Sequence, residues 1–286
     1  MNLRFSFFVS FVYFVVSSTP MNLLVTNDDG IASPFLHELV AALLAAGHTV
    51  AVVAPKTEQS WTGAAKTRHR PVHAERLASP SPFPLLACPT WSVDGTPSDC
   101  VNIALAHLLP GAGLSRPDAV LSGINLGLNA SLGFIIASGT IAGAWEGALH
   151  GLPAIAFSQD LTAEVYERLK ANHDIPDAEL LVTLRHSAAH AARLAPSLIA
   201  ATPPRAFVVH NLNFPLPCSA ATEVRRTVPA QVVVPGLFSP ANDDGTHRLI
   251  FRLGEDLSPA SPLTDRTALA AGHISHSVLD YTRLGR

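Results

Sequence analysis

The clearest candidate for chemistry is a pair of adjacent carboxylates, Asp28 and Asp29, which follows a short apolar run and precedes Gly30. Two neighbouring acids are costly to bury unless a cation or a proton lies between them. Their oxygens prefer hard ions such as magnesium, manganese or calcium. An ordinary turn before glycine has the same composition. The acid pair alone therefore does not decide between a metal site and a simple turn.

Two later loops carry polar side chains that suit the same site. Ser60 lies in a small polar loop, and Asn125 and Asn129 alternate with glycines further along the chain. An asparagine carbonyl oxygen can ligate a hard cation, and an asparagine amide can donate to a phosphate. Each loop taken alone is also consistent with a turn that binds nothing.

The turn Ser138-Gly139-Thr140 opens a predicted helix. Free N–H groups at a helix start, a glycine that permits close approach and two hydroxyls favour phosphate binding. Simple N-capping by Ser138 or Thr140 is the plainer interpretation. The argument for a site therefore depends on all four loops meeting at one edge of a sheet.

The elements that must position these loops begin with a βαβ unit. Apolar, β-branched runs at residues 22–26 and 49–54 predict two buried strands, with one helix between them. Ser33 suits the N-cap, Pro34 the first helical position and Gly47 the left-handed exit. The two strands should be parallel, and ligands bind at the carboxyl ends of such strands. The acid pair lies at one of those ends.

The alternation of strands and helices continues along the chain. Thr96 and Asp99 form the start of a capping box that opens a helix through residue 109, and a strand follows at 119–122. A glycine- and asparagine-rich loop then precedes a helix at 140–150 and a strand at 154–158. Next come a long helix at 178–201, which Pro196 is expected to kink or end early, and a strand at 206–211. The pattern predicts a doubly wound, mostly parallel α/β sheet.

Three segments are predicted. Residues 1–20 form a signal-like extension, residues 21–215 the catalytic core, and residues 216–286 a proline-broken segment expected to form hairpins and an extended arm. The first segment is too short to span a membrane, so no stable membrane association is expected. It is either an export signal or upstream sequence before a true start at Met21. Pro20 makes a poor cleavage site, which favours Met21 and a cytoplasmic location, with export as the alternative.

Composition limits the partners. A net charge of −3 offers no cationic surplus for a nucleic-acid polymer. Cys88, Cys100 and Cys218 are odd in number and far apart, which favours buried thiols over a disulfide framework or a zinc site. No HExxH pair occurs among the thirteen histidines, and His273 and His276 are interpreted as surface or interface residues.

The ordered set of motifs resembles the SurE survival-protein family. The matching segments include Asn27-Asp28-Asp29-Gly30, Gly95-Thr96-Pro97-Ser98-Asp99, Ser122-Gly123-Ile124-Asn125, Ser138-Gly139-Thr140, Asn211-Leu212-Asn213-Phe214-Pro215 and Thr264-Asp265. The resemblance covers residues 21–284 and is weak at 66–91, 161–204 and 219–256. It also departs from the family at 130–137, which puts substrate preference and oligomer contacts there in question.

The resemblance implies a Rossmann-like core with a β-hairpin and a carboxy-terminal extended arm used in dimer or tetramer assembly. It implies phosphatase activity on nucleoside 5′- and 3′-monophosphates, with one divalent cation per subunit, magnesium or manganese. The positions that match the family's metal ligands are Asp28, Asp29, Ser60 and Asn125. Those that match its phosphate contacts are Asn129, Ser138, Gly139 and Thr140.

The mechanistic hypothesis places the cation against a phosphate oxygen and a water molecule, with Asp28 or Asp29 steering that water or accepting its proton. Two alternatives remain open. One is a non-catalytic nucleotide-binding or assembly protein that kept the fold. The other is a phosphatase with Asp28 as a covalent nucleophile, although the sequence lacks the spaced acidic pair that such chemistry needs.

Overall fold

The computed structural model describes residues 19–77, 88–252 and 254–284. Residues 1–18 of the predicted signal-like extension therefore lie outside the described residues. The strands are β1 (Asn22–Thr26), β2 (Thr49–Pro55), β3 (Ala74–Arg76), β4 (Thr90–Val93), β5 (Ala119–Leu126), β6 (Ala154–Gln159), β7 (Val208–Phe214), β8 (Val224–Arg226), β9 (Val232–Val233), β10 (Glu255–Asp256) and β11 (Ile274–Asp280). The helices are α1 (Pro34–Ala45), α2 (Pro97–Ile103), α3 (Leu109–Gly111), α4 (Leu132–Ala137), α5 (Gly139–Leu149), α6 (Ala163–Ala171), α7 (Ala178–Ala200) and α8 (Asp265–Ala270).

Nine of these strands form one sheet in the order β3-β4-β2-β1-β5-β6-β7-β11-β8. The six strands from β4 to β7 run parallel to one another, while β3 pairs antiparallel with β4 and β11 antiparallel with β7. The predicted doubly wound, mostly parallel α/β fold is confirmed. The carboxyl ends of β1, β2, β5 and β6 consequently meet at one edge, where parallel sheets place their ligands.

Alternate residues of each central strand face opposite layers, so both faces of the sheet are buried. Leu23 and Val25 pack with α1 and α7, whereas Leu24 packs with α2. This two-sided burial explains why the strands are continuous apolar runs in the sequence. Among the described residues, no helix combines the length and the apolar character needed to cross a lipid bilayer.

Three predicted elements, β5, β7 and α7, differ from the structure in instructive ways. The strand predicted to end at Ser122 continues to Leu126, because an irregularity after Ser122 lets β5 resume pairing with β6 at Asn125. Gly123, at φ +129°, lies in that irregularity and permits it. Strand β7 begins and ends later than predicted. Helix α7 runs through Pro196 to Ala200, so the proline does not end it early.

The segment after residue 215 contributes to the main sheet as well as to a hairpin. Strands β9 and β10 pair antiparallel, as expected for a hairpin, but β8 and β11 join the nine-stranded sheet. The division of the chain at residue 215 and the arm's role in assembly stay predictions.

His276, interpreted from the sequence as a surface or interface residue, is half-buried on β11, between β7 and β8. Its Nε2 lies 2.9 Å from Nδ1 of His210, whose Nε2 lies 2.8 Å from the hydroxyl of Thr202. That hydroxyl donates to the Leu198 carbonyl, so His210 Nε2 must donate to Thr202 and His210 Nδ1 must accept from His276. Burial lowers the pKa of both rings to about 4, assisted by the Arg226 charge at His210 and by His210 and then Arg226 at His276.

Acid should weaken this buried pair. The folded protein resists protonation that the unfolded chain accepts from about pH 6.5, so the free energy of unfolding falls as pH drops from there to about 4. His276→Gln removes one of the two groups that take up a proton when the protein unfolds in this pH range. We expect His276→Gln to flatten the pH dependence of urea unfolding by up to about 1.4 kcal/mol per pH unit in this range. An unaltered slope in His276→Gln would contradict the expectation.

Candidate active site

The acid pair lies at the carboxyl end of β1, as predicted, and each acid is held by a different neighbour. Asp28 is only 3% exposed, and its Oδ1 accepts a 2.5 Å hydrogen bond from the hydroxyl of Thr140 at the start of α5. Oδ2 of Asp29 accepts from the backbone N–H of Leu126 at 2.9 Å. The end of β5 and the start of α5 therefore fix the two carboxylates independently.

The loop after β2 is tied to the same point through its backbone. The N–H of Gln59 donates to the carbonyl oxygen of Asp28 at 2.7 Å, and the N–H of Gly63 donates to that of Ala137 at 3.0 Å. Ser60 is thus one residue from a direct contact with the acid pair's backbone. Its own hydroxyl donates to Oε1 of Glu58 at 2.6 Å, in an exposed turn.

Gly139 allows α5 to approach Asp28. A methyl group on Gly139 would lie 2.8 Å from Cβ of Asp28 and 3.1 Å from the carbonyl oxygen of Gln59. Contacts of that length are not tolerated between heavy atoms without displacement. The preceding residue, Ser138, caps α5 by accepting from the N–H of Ile141 at 3.1 Å. Capping and close packing thus both act at this turn.

The two asparagines of the β5 region differ in role. Asn125 lies within β5, and its Nδ2 donates to the carbonyl of Gly127 at 2.7 Å, so its carbonyl oxygen is the atom left for a ligand. Asn129 is 6% exposed and is held on three sides. Its N–H donates to Oδ1 of Asn213 at 2.7 Å, its Nδ2 donates to the hydroxyl of Ser158 at 2.9 Å, and its carbonyl accepts from Asn211 at 2.9 Å.

Burial raises the pKa of Asp28 to about 6, opposed by the hydrogen bond from Thr140. Burial and then the charge of Asp28 raise the pKa of Asp29 well above its usual range. The pair is therefore poorly stabilised by the protein itself. Among the described residues, no Lys, Arg or His side chain forms an ion pair with either carboxylate.

These features fit a hard cation. The oxygens of Asp28, Asp29, Asn125 and Ser60 are the ligand type that magnesium and manganese prefer. The buried Oδ1 of Asn27 also has no hydrogen-bond partner in the described part of the chain. Within residues 19–77, 88–252 and 254–284, no three histidine, cysteine or acidic side chains are grouped to hold an ion, so a site here would depend on amide and hydroxyl oxygens as well.

The structure thus connects all four predicted loops, although by different kinds of contact. Thr140 bonds the side chain of Asp28, Leu126 bonds that of Asp29, and Gln59 bonds the backbone of Asp28. Asn125 and Ser60 are the sequence neighbours of Leu126 and Gln59. The assignment of individual side chains to metal and phosphate stays a prediction.

Sequence reasoning gave no role to the residues that hold Asn129. All three residues are fully buried: Asn211 and Asn213 lie in the middle and near the end of β7, and Ser158 lies near the end of β6. Asn211 and Asn213 are separated by one residue in a strand, which places both side chains on one face. That alternation was the available signal, and the predicted end of the strand at residue 211 concealed it.

The family profile described as "Survival protein SurE" matches residues 23–233. A protein named 5′-nucleotidase SurE from Desulfovibrio desulfuricans is 36% identical over 267 residues, covering 92% of this chain and 94% of that protein. A 5′-nucleotidase SurE from Nostoc is 48% identical over 138 residues, covering 48% of this chain and 49% of its own.

The fold has a counterpart among solved structures. The crystal structure of the Sure protein from Aquifex aeolicus superposes with a TM-score of 0.66 at 27% sequence identity, covering 91% of this chain and 93% of that one. The similarity therefore extends over nearly the whole length of both chains.

Proposed function

The chain belongs to the SurE survival-protein family, and from that membership we propose that it is a 5′-nucleotidase, hydrolysing nucleoside 5′-monophosphates to nucleoside and phosphate. The observation that carries the proposal is the closure of α5 onto the acid pair, through the Thr140 hydrogen bond and the absence of a side chain at Gly139. We further propose activity on 3′-monophosphates, a cytoplasmic location and assembly into a dimer or tetramer.

We propose that Asp28, Asp29, Ser60 and Asn125 hold one divalent cation, magnesium or manganese. Such a cation would withdraw charge from a phosphoryl oxygen and make a bound water more acidic. The raised pKa values of the two acids support the assignment, because an adjacent cation would offset the burial, and for Asp29 also the charge of Asp28, that opposes their ionisation.

The remaining steps are assigned to side chains of this chain. Asp29, which is part-exposed, is proposed to orient the attacking water and accept its proton. The helix start at Ser138, Gly139 and Thr140, together with Asn129, is proposed to face the phosphate oxygens, whose negative charge the α5 dipole favours. Thr140 links the two functions, since the hydroxyl that bonds Asp28 belongs to the same turn.

The proposal is tested by release of inorganic phosphate from a panel of nucleoside 5′- and 3′-monophosphates, with and without chelator. We expect release from the 5′-monophosphates that chelator abolishes and manganese or magnesium restores. Nucleotide binding without phosphate release would favour a non-catalytic protein. Trapping of a covalent adduct at Asp28 by a phosphate mimic would favour the nucleophilic alternative.

Cation binding should also be visible in stability. In chelator, Asp29→Asn should raise the melting temperature, because it removes a carboxylate whose ionisation is opposed by burial and by Asp28, while the Leu126 N–H keeps an acceptor. Manganese should raise the melting temperature of the parent protein by on the order of 5 °C and that of Asp29→Asn by much less. An equal manganese shift in both proteins, measured by calorimetry, would contradict the ligand assignment.

A further inference from the structure

A cavity of about 270 Å³ opens directly beside Asp29. Its walls come from the start of α1, the turn at Glu58, the end of β5 at Leu126 and the loop after α6. None of its lining residues belongs to α5. The cavity is therefore separate from the proposed phosphate turn: Asp29 lines the cavity, whereas its neighbour Asp28 contacts the turn. Its volume is close to the lower end, about 300 Å³, of ligand pockets in proteins.

Ser33 gives this cavity a polar group without a partner. It occupies the N-cap of α1 but makes no side-chain capping bond. The residue is 8% exposed, and within the described residues its hydroxyl has no hydrogen-bond partner. A buried hydroxyl left unpaired is unfavourable, so a bound group that completes its hydrogen bonding is favoured.

Lys170 brings a second polar group to the cavity wall. Its ammonium lies 3.0 Å from Oδ1 of Asp174 and 5.5 Å from the centre of the Tyr166 ring, contacts that hold the side chain in place. The loop after α6 supplies His173 and the half-exposed apolar side chain of Ile175. Polar and apolar groups therefore converge from α6 onto the space next to Asp29.

The charges in this cavity disfavour a second anion. Asp29, Glu58 and Asp174 contribute three carboxylates, against the single ammonium of Lys170 and one histidine. Hydroxyl groups and a neutral ring suit this mixture better, because they can donate to the carboxylates and accept from Ser33 and Lys170. Ala32, Pro34 and Ile175 supply the apolar wall that a ring would contact.

We propose that this cavity binds the nucleoside part of the substrate, with Ser33 and Lys170 as its specificity-determining residues. The inference rests on the proposed nucleotidase function, since it places the leaving nucleoside beside the acid pair that acts on its phosphate. In this proposal Ser33 and Lys170 contact the sugar and base and do not contact the phosphoryl group.

The test compares a nucleotide with a phosphate ester that has no nucleoside. Ser33→Ala and Lys170→Met are assayed on adenosine 5′-monophosphate and on p-nitrophenyl phosphate. Arg168→Met is the matched control, because it lies on the same helix and breaks a comparable exposed ion pair, to Asp177, outside this cavity. We expect KM for the nucleotide to rise about five- to tenfold in Ser33→Ala and Lys170→Met, as for loss of one hydrogen bond. KM for p-nitrophenyl phosphate should stay within about twofold, and the control should match the parent protein on both substrates.

A binding measurement separates the two proposals. Calorimetric titration with adenosine alone should give binding to the parent protein and to Arg168→Met, and about five- to tenfold weaker binding to Ser33→Ala and Lys170→Met. If phosphate release fails on every substrate but adenosine binding depends on Ser33, the proposed function falls and the cavity assignment stands. If nucleotides are hydrolysed while both cavity variants keep the parent's nucleotide KM and adenosine affinity, the cavity assignment is overturned alone. An equal KM rise on both substrates would also overturn it.

Discussion

Asp28→Asn is expected to lower the rate of nucleoside monophosphate hydrolysis by about a thousandfold, the equivalent of about 4 kcal/mol of transition-state stabilisation. The substitution keeps an oxygen to accept from the Thr140 hydroxyl, so the local packing should survive. It removes the negative charge that the proposed cation requires. The loss should appear in kcat at saturating manganese, measured as phosphate release.

The folded state of the Asp28→Asn variant should be intact, because a neutral amide at a 3% exposed position relieves repulsion with Asp29. Asp118→Asn is the matched control. That acid is exposed and accepts from the N–H of Asn22, at the amino end of β1 and far from the proposed site. It should retain parent activity. Parent-like turnover by Asp28→Asn in added manganese would refute the assignment of Asp28.

Gly139→Ala is expected to reduce turnover by about a hundredfold or more and to destabilise the protein by about 1–3 kcal/mol. The new methyl group would lie 2.8 Å from Cβ of Asp28 and 2.9 Å from its Oδ2, so either α5 or the carboxylate must move. Helix propensity alone predicts the opposite sign, since alanine is favoured over glycine by about 1 kcal/mol. A loss of stability would therefore report the contact.

Gly133→Ala is the control for this substitution. Gly133 lies in the neighbouring helix α4, and a methyl group there would meet nothing closer than Cγ2 of Val234 at 3.7 Å. We expect parent activity and equal or higher stability for this variant, by calorimetry and phosphate release. If Gly139→Ala matched Gly133→Ala in both measurements, the close approach of α5 to Asp28 would matter neither for activity nor for stability.

The elements built by local rules were predictable from sequence. Strand β1 has its predicted bounds, and Thr96 with Asp99 forms the predicted capping box. In both places a short stretch of sequence carries the whole signal, as an apolar run or as two residues at fixed spacing. The acid pair was predictable for the same reason, because two adjacent carboxylates after a buried strand indicate a candidate site from local sequence alone.

The features that depend on contacts between distant parts of the chain could not be predicted from sequence. Nothing near His276 indicates that β11 enters the sheet beside β7, so its contact with His210 depends on residues far apart in the chain. The cavity beside Asp29 is similar, because it combines Ser33 from α1 with Lys170 from α6. The sequence predicts that β5 ends at Ser122, because glycine and asparagine usually mark turns. In the structure, pairing with β6 keeps the strand extended beyond that point.

The position of β11 has a consequence for biosynthesis. This strand covers the edge of β7, yet it leaves the ribosome only after β8 and the β9–β10 hairpin have been made. Until then a nascent chain exposes the unpaired backbone of β7, the kind of edge that recruits other strands and promotes aggregation. Premature termination before residue 274 would leave that edge open, so truncated products should be targets for chaperones and proteases even though the acid pair and α5 had already been translated.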